Sequence, residues 1–248
     1  MHRRSVVRPP QRMSASLALS LRNAYETLAI SAPTVVDALR GRVTKEACDQ
    51  RLDRWSRACL RNAGVQLNVS GREHLAPGET YLVMSNHQSL YDIPVLFQVV
   101  GPNLRMIGKR ELFRVPIFGG ALAAAGFIAI DRSNRNAAIR SLQAATDLLA
   151  SGTHVWIAPE GTRSRTGELL PFKKGAFYLA LESGLPILPV TLQGTQRILP
   201  ARGIRSNVGA TVSATIHARV DPAPYAARGK PGRAELMDHV RRTLESAL

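Results

Sequence analysis

Between Val65 and Val220 short runs of β-branched and aliphatic residues alternate with longer amphipathic stretches. Neither kind of segment can bury its apolar face alone, and the alternation is the pattern of a layered α/β domain. The strands predicted this way are Val65–Val69, Tyr81–Ser85, Leu104–Gly108, Phe127–Ile130, His154–Ala158, Ile187–Leu192 and Thr211–Val220, with Pro77-Gly78 turning the chain between the first two. Predicted helices are Ile93–Val100, Asn136–Ala150 stopped at Gly152, Gly175–Ser183 stopped at Gly184, and Ala234–Ala247. The Pro-, Gly-, Ala- and Arg-rich stretch Asp221–Arg233 reads as a linker.

The N-terminal quarter has a different period. Leu17, Leu21, Ala24, Tyr25 and Leu28 recur at helical spacing until Pro33, which is expected to interrupt the helix. In a second helix Cys48, Leu52, Trp55 and Cys59 share one face, and Arg51, Arg54, Arg57 and Arg61 share another. Such a helix can lie on anionic lipid with its arginines at the headgroups, or pack its apolar face on the main domain. The four arginines at positions 3, 4, 8 and 12 precede an apolar stretch as in a secretory signal, but Arg22 breaks that stretch and no small-residue cleavage site follows. The longest run without charge, Val115–Ile130, has sixteen residues with one proline and three glycines, short of the ~20 that span a bilayer. A cytoplasmic protein, soluble or peripheral, is the expectation. Cys48 and Cys59 are too few for a metal cluster and too far apart on one helix for a disulfide, so they are expected to be core thiols.

With 33 Lys and Arg against 18 Asp and Glu the net charge is +15, spread along the chain instead of gathered in a tail. The surplus suits an anionic partner. Nucleic acid is the poor candidate, because no aromatic-plus-basic strand motif or zinc spacing is present.

The chemistry starts at Asn86-His87-Gln88-Ser89-Leu90-Tyr91-Asp92. An apolar strand delivers His87 to the carboxyl end of a sheet, where open α/β folds bind ligands. Five residues along a regular helix would put His87 and Asp92 on different faces, so they meet only if the chain turns between them. An Asp on one ring nitrogen fixes the tautomer and leaves the other nitrogen to take a proton from a hydroxyl. Ser89 lacks the elbow of a serine nucleophile. Two further strands end in polar clusters. Glu160-Gly161-Thr162-Arg163 has the composition of a phosphate loop, backbone N–H groups beside a guanidinium, or of an ordinary polar loop. Asp131-Arg132 is either a ligand-binding pair or a structural ion pair.

In this order and spacing, the His-x4-Asp of His87 and Asp92, Gly126–Arg132, Glu160-Gly161-Thr162-Arg163 and Leu185–Val190 resemble the four blocks of the glycerolipid acyltransferases, in particular the bacterial enzymes acting on 1-acylglycerol-3-phosphate. Lys109–Leu112, Val115–Gly119 and Phe172–Gly175 resemble family connectors, and Ala158 stands where Phe is frequent. The resemblance implies a mixed, mostly parallel sheet flanked by helices (glycerol-3-phosphate acyltransferase-like), preceded by a helical membrane-docking segment. Residues 1–64 would form that segment and 65–248 the acyltransferase domain. It implies transfer of an acyl group from acyl-CoA or acyl carrier protein to the free hydroxyl of a lysophospholipid, with His87 and Asp92 catalytic. Glu160, Gly161, Thr162 and Arg163, helped by Arg132 and Lys109, would hold the glycerol phosphate, and Pro189 would shape the acyl or thioester pocket. No metal or other cofactor is implied, since a thioester is already activated. A different lyso-lipid acceptor, such as a lyso-aminolipid, and a non-catalytic anionic-lipid binder are the alternatives.

Overall fold

The computed structural model describes residues 15–131 and 135–248. Along the chain run β1 (Ala15–Ser16), α1 (Leu17–Leu39), α2 (Lys45–Asn62), β2 (Gln66–Ser70), β3 (Leu82–Ser85), α3 (Asp92–Val99), β4 (Leu104–Lys109) and α4 (Phe118–Ala124). They are followed by β5 (Ile128–Ile130), α5 (Arg135–Ala150), β6 (His154–Ile157), α6 (Lys174–Ser183), β7 (Ile187–Gln193), α7 (Thr195–Ile198), β8 (Ser206–Asn207), β9 (Thr211–Ile216), α8 (Ala223–Ala226) and α9 (Gly229–Glu245). Seven strands form one sheet in the order β2-β9-β7-β3-β6-β4-β5, parallel except between β7 and β9, while β1 and β8 pair separately. The expected mixed, mostly parallel sheet flanked by helices is therefore what forms.

Side chains alternate across the central strands. Val83 and Trp156 face one apolar cluster together with Leu52 of α2 and Val95, Leu96 and Phe97 of α3. Leu82, Met84 and Val155 face the other, with Ala145 and Leu149 of α5, Phe177 of α6 and Leu236, Val240 and Leu244 of α9. Because both faces are covered, β3 is buried at every position and reads in sequence as an unbroken apolar run.

Several expectations change in three dimensions. Pro33 lies inside α1 and does not interrupt it. The ring removes the donor to the Ala29 carbonyl, and packing against α2 and α4 holds the helix across the gap. The apolar face of α2 packs inward, with Cys48, Leu52 and Cys59 buried, so that stripe does not face a bilayer. Its position on the sheet is fixed by Arg105, a buried β4 residue that reaches Asp49 at 2.7 Å. The arginine face is only partly free, since Arg51 pairs with Asp37 and Arg57 with Asp53. The Asp221–Arg233 stretch is no linker. It forms α8 and the start of α9, which approach so closely that a Cβ on Gly232 would lie 2.1 Å from the Tyr225 carbonyl oxygen. The uncharged run Val115–Ile130 becomes the short α4 and β5.

Candidate active site

Strands β3, β4, β5 and β6 are parallel, so the residues that follow each emerge at one edge of the sheet. That topology gathers His87 after β3, Lys109 at the end of β4, Asp131 after β5 and Glu160–Arg163 after β6. Arg132 lies outside the described residues.

After β3 the chain turns and re-enters as α3 with Asp92 as its first residue, which is what lets two residues five apart meet. His87 Nδ1 stands 2.7 Å from Asp92 Oδ2. The same oxygen accepts the backbone N–H groups of Gln88 and Ser89 at 2.7 and 2.9 Å, and it sits at a helix N-terminus, where negative charge is favoured. Asp92 is fully buried, so its position is set by the fold and not by solvent. With Nδ1–H donated to the carboxylate, Nε2 carries the lone pair. The Ser89 hydroxyl donates to the Leu199 carbonyl at 2.7 Å and accepts from the Tyr91 N–H, a buried structural arrangement in keeping with the missing elbow.

Glu160 differs from the sequence expectation of a phosphate-holding side chain. Its carboxylate is turned inward, Oε1 accepting the His87 N–H at 2.7 Å and Oε2 the Leu170 N–H at 2.9 Å, and only 1% of the residue is exposed. Burial pushes its pKa up, against the lowering effect of the two N–H donors. The His87 carbonyl is held too, by the Ser164 N–H at 2.7 Å. Gly161, at φ +71°, turns the loop back so that its own N–H reaches the Ala158 carbonyl at 3.0 Å.

His87, Lys109, Gly161, Thr162, Arg163 and Lys173 line one cavity of about 1060 Å³. The rest of the wall is largely apolar, formed by α1, α2, α3, α4 and the Arg110–Arg114 turn, with Asn23, Thr27, Thr34 and Arg51 among its polar members. Pro189 does not line it, being buried in β7 between β3 and β9.

Two supports of the site escaped the sequence reading. Trp156 meets the His87 ring edge-on, centroids 5.3 Å apart, and donates its indole N–H to Ser85 Oγ at 2.8 Å. Its place beside His87 follows from its register opposite Val83 in the neighbouring strand, a pairing that exists only in the sheet. Arg241 of α9 reaches across 71 and 72 residues to hold the carbonyls of Leu170 and Leu169 at 3.0 Å each.

A half-buried imidazole on a buried carboxylate, facing a largely apolar cavity at the carboxyl edge of a mostly parallel sheet, is the site of an acyltransferase-type fold, since residues 66–193, just over half the chain, match the family described as Acyltransferase. The chain belongs to that acyltransferase family. Among its relatives, 1-acyl-sn-glycerol-3-phosphate acyltransferase alpha of Mus musculus is 40% identical over 134 residues, covering 54% of this chain and 47% of that protein. The Saccharomyces cerevisiae 1-acyl-sn-glycerol-3-phosphate acyltransferase is 39% identical over 145 residues, covering 57% and 48%. The chain thus spans about half the length of these curated relatives. The crystal structure of the 1-acyl-sn-glycerophosphate (LPA) acyltransferase PlsC from Thermotoga maritima superposes with a TM-score of 0.71 at 25% identity, over 92% of this chain and 95% of that one.

Proposed function

We propose that this chain moves a fatty acyl group from a thioester, on CoA or acyl carrier protein, to the free hydroxyl of 1-acyl-glycerol-3-phosphate, making phosphatidic acid. The observation that carries the reading is the His87–Asp92 contact beside the basic residues of a largely apolar cavity. A lysophospholipid has the same division, a phosphate and hydroxyl at one end and a hydrocarbon chain at the other. In this mechanism His87 Nε2 takes the proton from the acceptor hydroxyl as its oxygen attacks the thioester carbonyl. Asp92 stabilises the resulting imidazolium, which returns the proton to the departing thiolate as the carbon–sulfur bond breaks. No acyl-enzyme forms, and the activated thioester makes a metal or prosthetic group unnecessary.

Arg163, Thr162, Gly161 and Lys109 hold the acceptor phosphate in this reading, with Arg132 assigned to the same task from its place in the sequence. Glu160 and Trp156 are positioning residues that act through His87. Both substrates are amphiphiles, and no helix among the described residues is long and apolar enough to cross a membrane. Docking is assigned to α1, whose Leu17, Leu21, Tyr25 and Leu28 are exposed, on the cytoplasmic face of the membrane.

The test is thiol release by the purified chain with acyl-CoA or acyl carrier protein thioester, offered 1-acyl-glycerol-3-phosphate beside lyso-lipids without phosphate. Phosphatidic acid formed preferentially from the first acceptor is the expected outcome. Preference for a lyso-aminolipid would replace the acceptor, and no thioester consumption with any acceptor would leave a lipid-binding protein.

A further inference from the structure

Between β4 and α4 the chain reads Arg110-Glu111-Leu112-Phe113-Arg114-Val115-Pro116-Ile117. Its first five residues form a 3-10 turn. After it the Phe118 N–H donates to the Pro116 carbonyl at 2.7 Å, across Ile117 at φ 65° and ψ −58°. Ile117 is the sole non-glycine residue with positive φ among the described residues. This is a γ-turn of the rare positive-φ kind, which a β-branched residue adopts only where its surroundings impose it. They do so here. The Gly119 N–H bonds the Val115 carbonyl at 2.8 Å, and Gly119 lies so close to Phe113 that a Cβ would be 2.2 Å from the Phe113 carbonyl oxygen.

The turn sorts the side chains. Phe113, Phe118 and one side of Leu112 line the cavity, while Val115 and Ile117 stay off its wall; Leu112, Val115 and Ile117 are 43, 45 and 47% exposed. Val115 and Ile117, at a strained turn beside the half-exposed Leu112, have no packing role inside the chain that explains them. Lys109, Arg110 and Arg114, all exposed, outnumber the one exposed acid of the segment, Glu111, and Arg110 pairs with Asp131. The patch adjoins α1. Helix α4 packs on it, a Cβ on Gly120 would lie 3.3 Å from Val35, and the next exposed apolar residues on α1 are Val36 and Leu39.

We propose that Arg110–Phe118 is a second bilayer-inserting element, with Leu112, Val115 and Ile117 entering the acyl layer and the basic rim resting on anionic headgroups. The occupant must be apolar beneath and negative at its surface. An anionic bilayer meets both conditions, while a second copy of a chain of net charge +15 would bring an identical basic rim against this one. Insertion also sets the cavity wall at Phe113 and Phe118 level with the acyl chains. The inference rests on the reading that the chain works at a membrane, and extends it from α1 to a separate segment.

Cys48 and Cys59 are buried, so one added surface cysteine can be labelled selectively with an environment-sensitive fluorophore. Labelled Ile117→Cys, Leu21→Cys on α1 and Lys230→Cys on α9, across the sheet, are mixed with phosphatidylglycerol–phosphatidylcholine vesicles. The expected result is a blue shift and protection from iodide at 117 and 21, with no change at 230. A response at 21 without one at 117 overturns the proposal and leaves α1 docking standing. Silence at both overturns both, and a response at 230 as well means unspecific adsorption and overturns it. Ile117→Gly supplies a check that misfolding cannot mimic. Glycine accepts the positive φ freely, and relief of that strain outweighs the added freedom of the unfolded chain, so this variant should melt higher yet partition into the same vesicles about tenfold less well, as expected for one aliphatic side chain left out of an apolar phase. Partitioning equal to the parent overturns the proposal.

Discussion

The carboxylate of Glu160 accepts the backbone N–H of His87 at 2.7 Å, although 73 residues separate them. Together with the Ser164 N–H on the His87 carbonyl, this fastens both sides of the His87 peptide backbone to the loop that carries Arg163. The putting of base and phosphate loop into one rigid unit explains why a polar residue in a phosphate-loop sequence is turned away from the cavity.

Glu160→Gln should therefore damage geometry more than binding. The amide can accept one of the two N–H donors but presents its NH2 group to the other, leaving a buried donor unpaired at about 1–3 kcal/mol. Denaturant unfolding should show that loss. In kinetics kcat should fall while KM for the thioester stays near that of the parent; an equal rise in KM for the acceptor alone would return Glu160 to the phosphate site.

His87→Ala should remove about 10² to 10⁴ of turnover, the range for a positioned base, and leave the melting temperature nearly unchanged. Asp92→Asn should lower both turnover and stability, because its Oδ2 also accepts the Gln88 and Ser89 N–H groups. Wild-type turnover in purified His87→Ala would remove the dyad from the mechanism.

Arg163→Ala should raise KM for a phosphate-bearing acceptor more than for the acyl donor. Lysine should rescue poorly, since an ammonium cannot make the planar two-point contact of a guanidinium. Steady-state kinetics with each substrate varied in turn decides it, and equal effects on both would point to a structural role.

The four arginines of α2 should separate into two kinds. Arg51 holds Asp37 and Thr34, so Arg51→Gln should lower stability. Arg54, Arg57 and Arg61 are exposed, and replacing them by Gln should weaken the salt-dependent attraction to anionic vesicles by up to about 1 kcal/mol each. Vesicle sedimentation across a salt series would show it; unchanged binding would make these residues a solvated helix face only.

Burial pushes the Cys59 thiol from 9.0 up to about 12. The folded state thus prefers the protonated thiol, so this contribution to stability is full below pH 9.0 and is lost as the pH rises towards about 12, at about 1.4 kcal/mol per pH unit. Iodoacetamide at pH 8.5 should leave Cys59 unmodified in the folded chain and modify it in denaturant. Rapid labelling of the native protein would contradict its burial.

What the sequence by itself determined was whatever repeats within a few residues. Alternating apolar runs specified the sheet strands, helical spacing specified α2 and α5, and strand ends with polar clusters marked His87 and Glu160–Arg163, because periodicity and turn chemistry are local properties of the backbone. Tertiary structure decided which partner each group finds. Pro33 stays inside α1 because packing against α2 and α4 outweighs one lost donor, and the apolar stripe of α2 turns to the core and the cavity instead of to a bilayer, with Arg105 and Asp49 tying that helix to β4. Glu160 was read as a ligand side chain since nothing in its neighbourhood along the chain announces the His87 and Leu170 N–H groups that claim it. Asn86 likewise clamps both backbone groups of Leu192, at 2.8 and 2.7 Å, over a separation of 106 residues. A buried polar group must be satisfied, but its partner is chosen by which strands lie side by side, and that choice is made only when the sheet assembles.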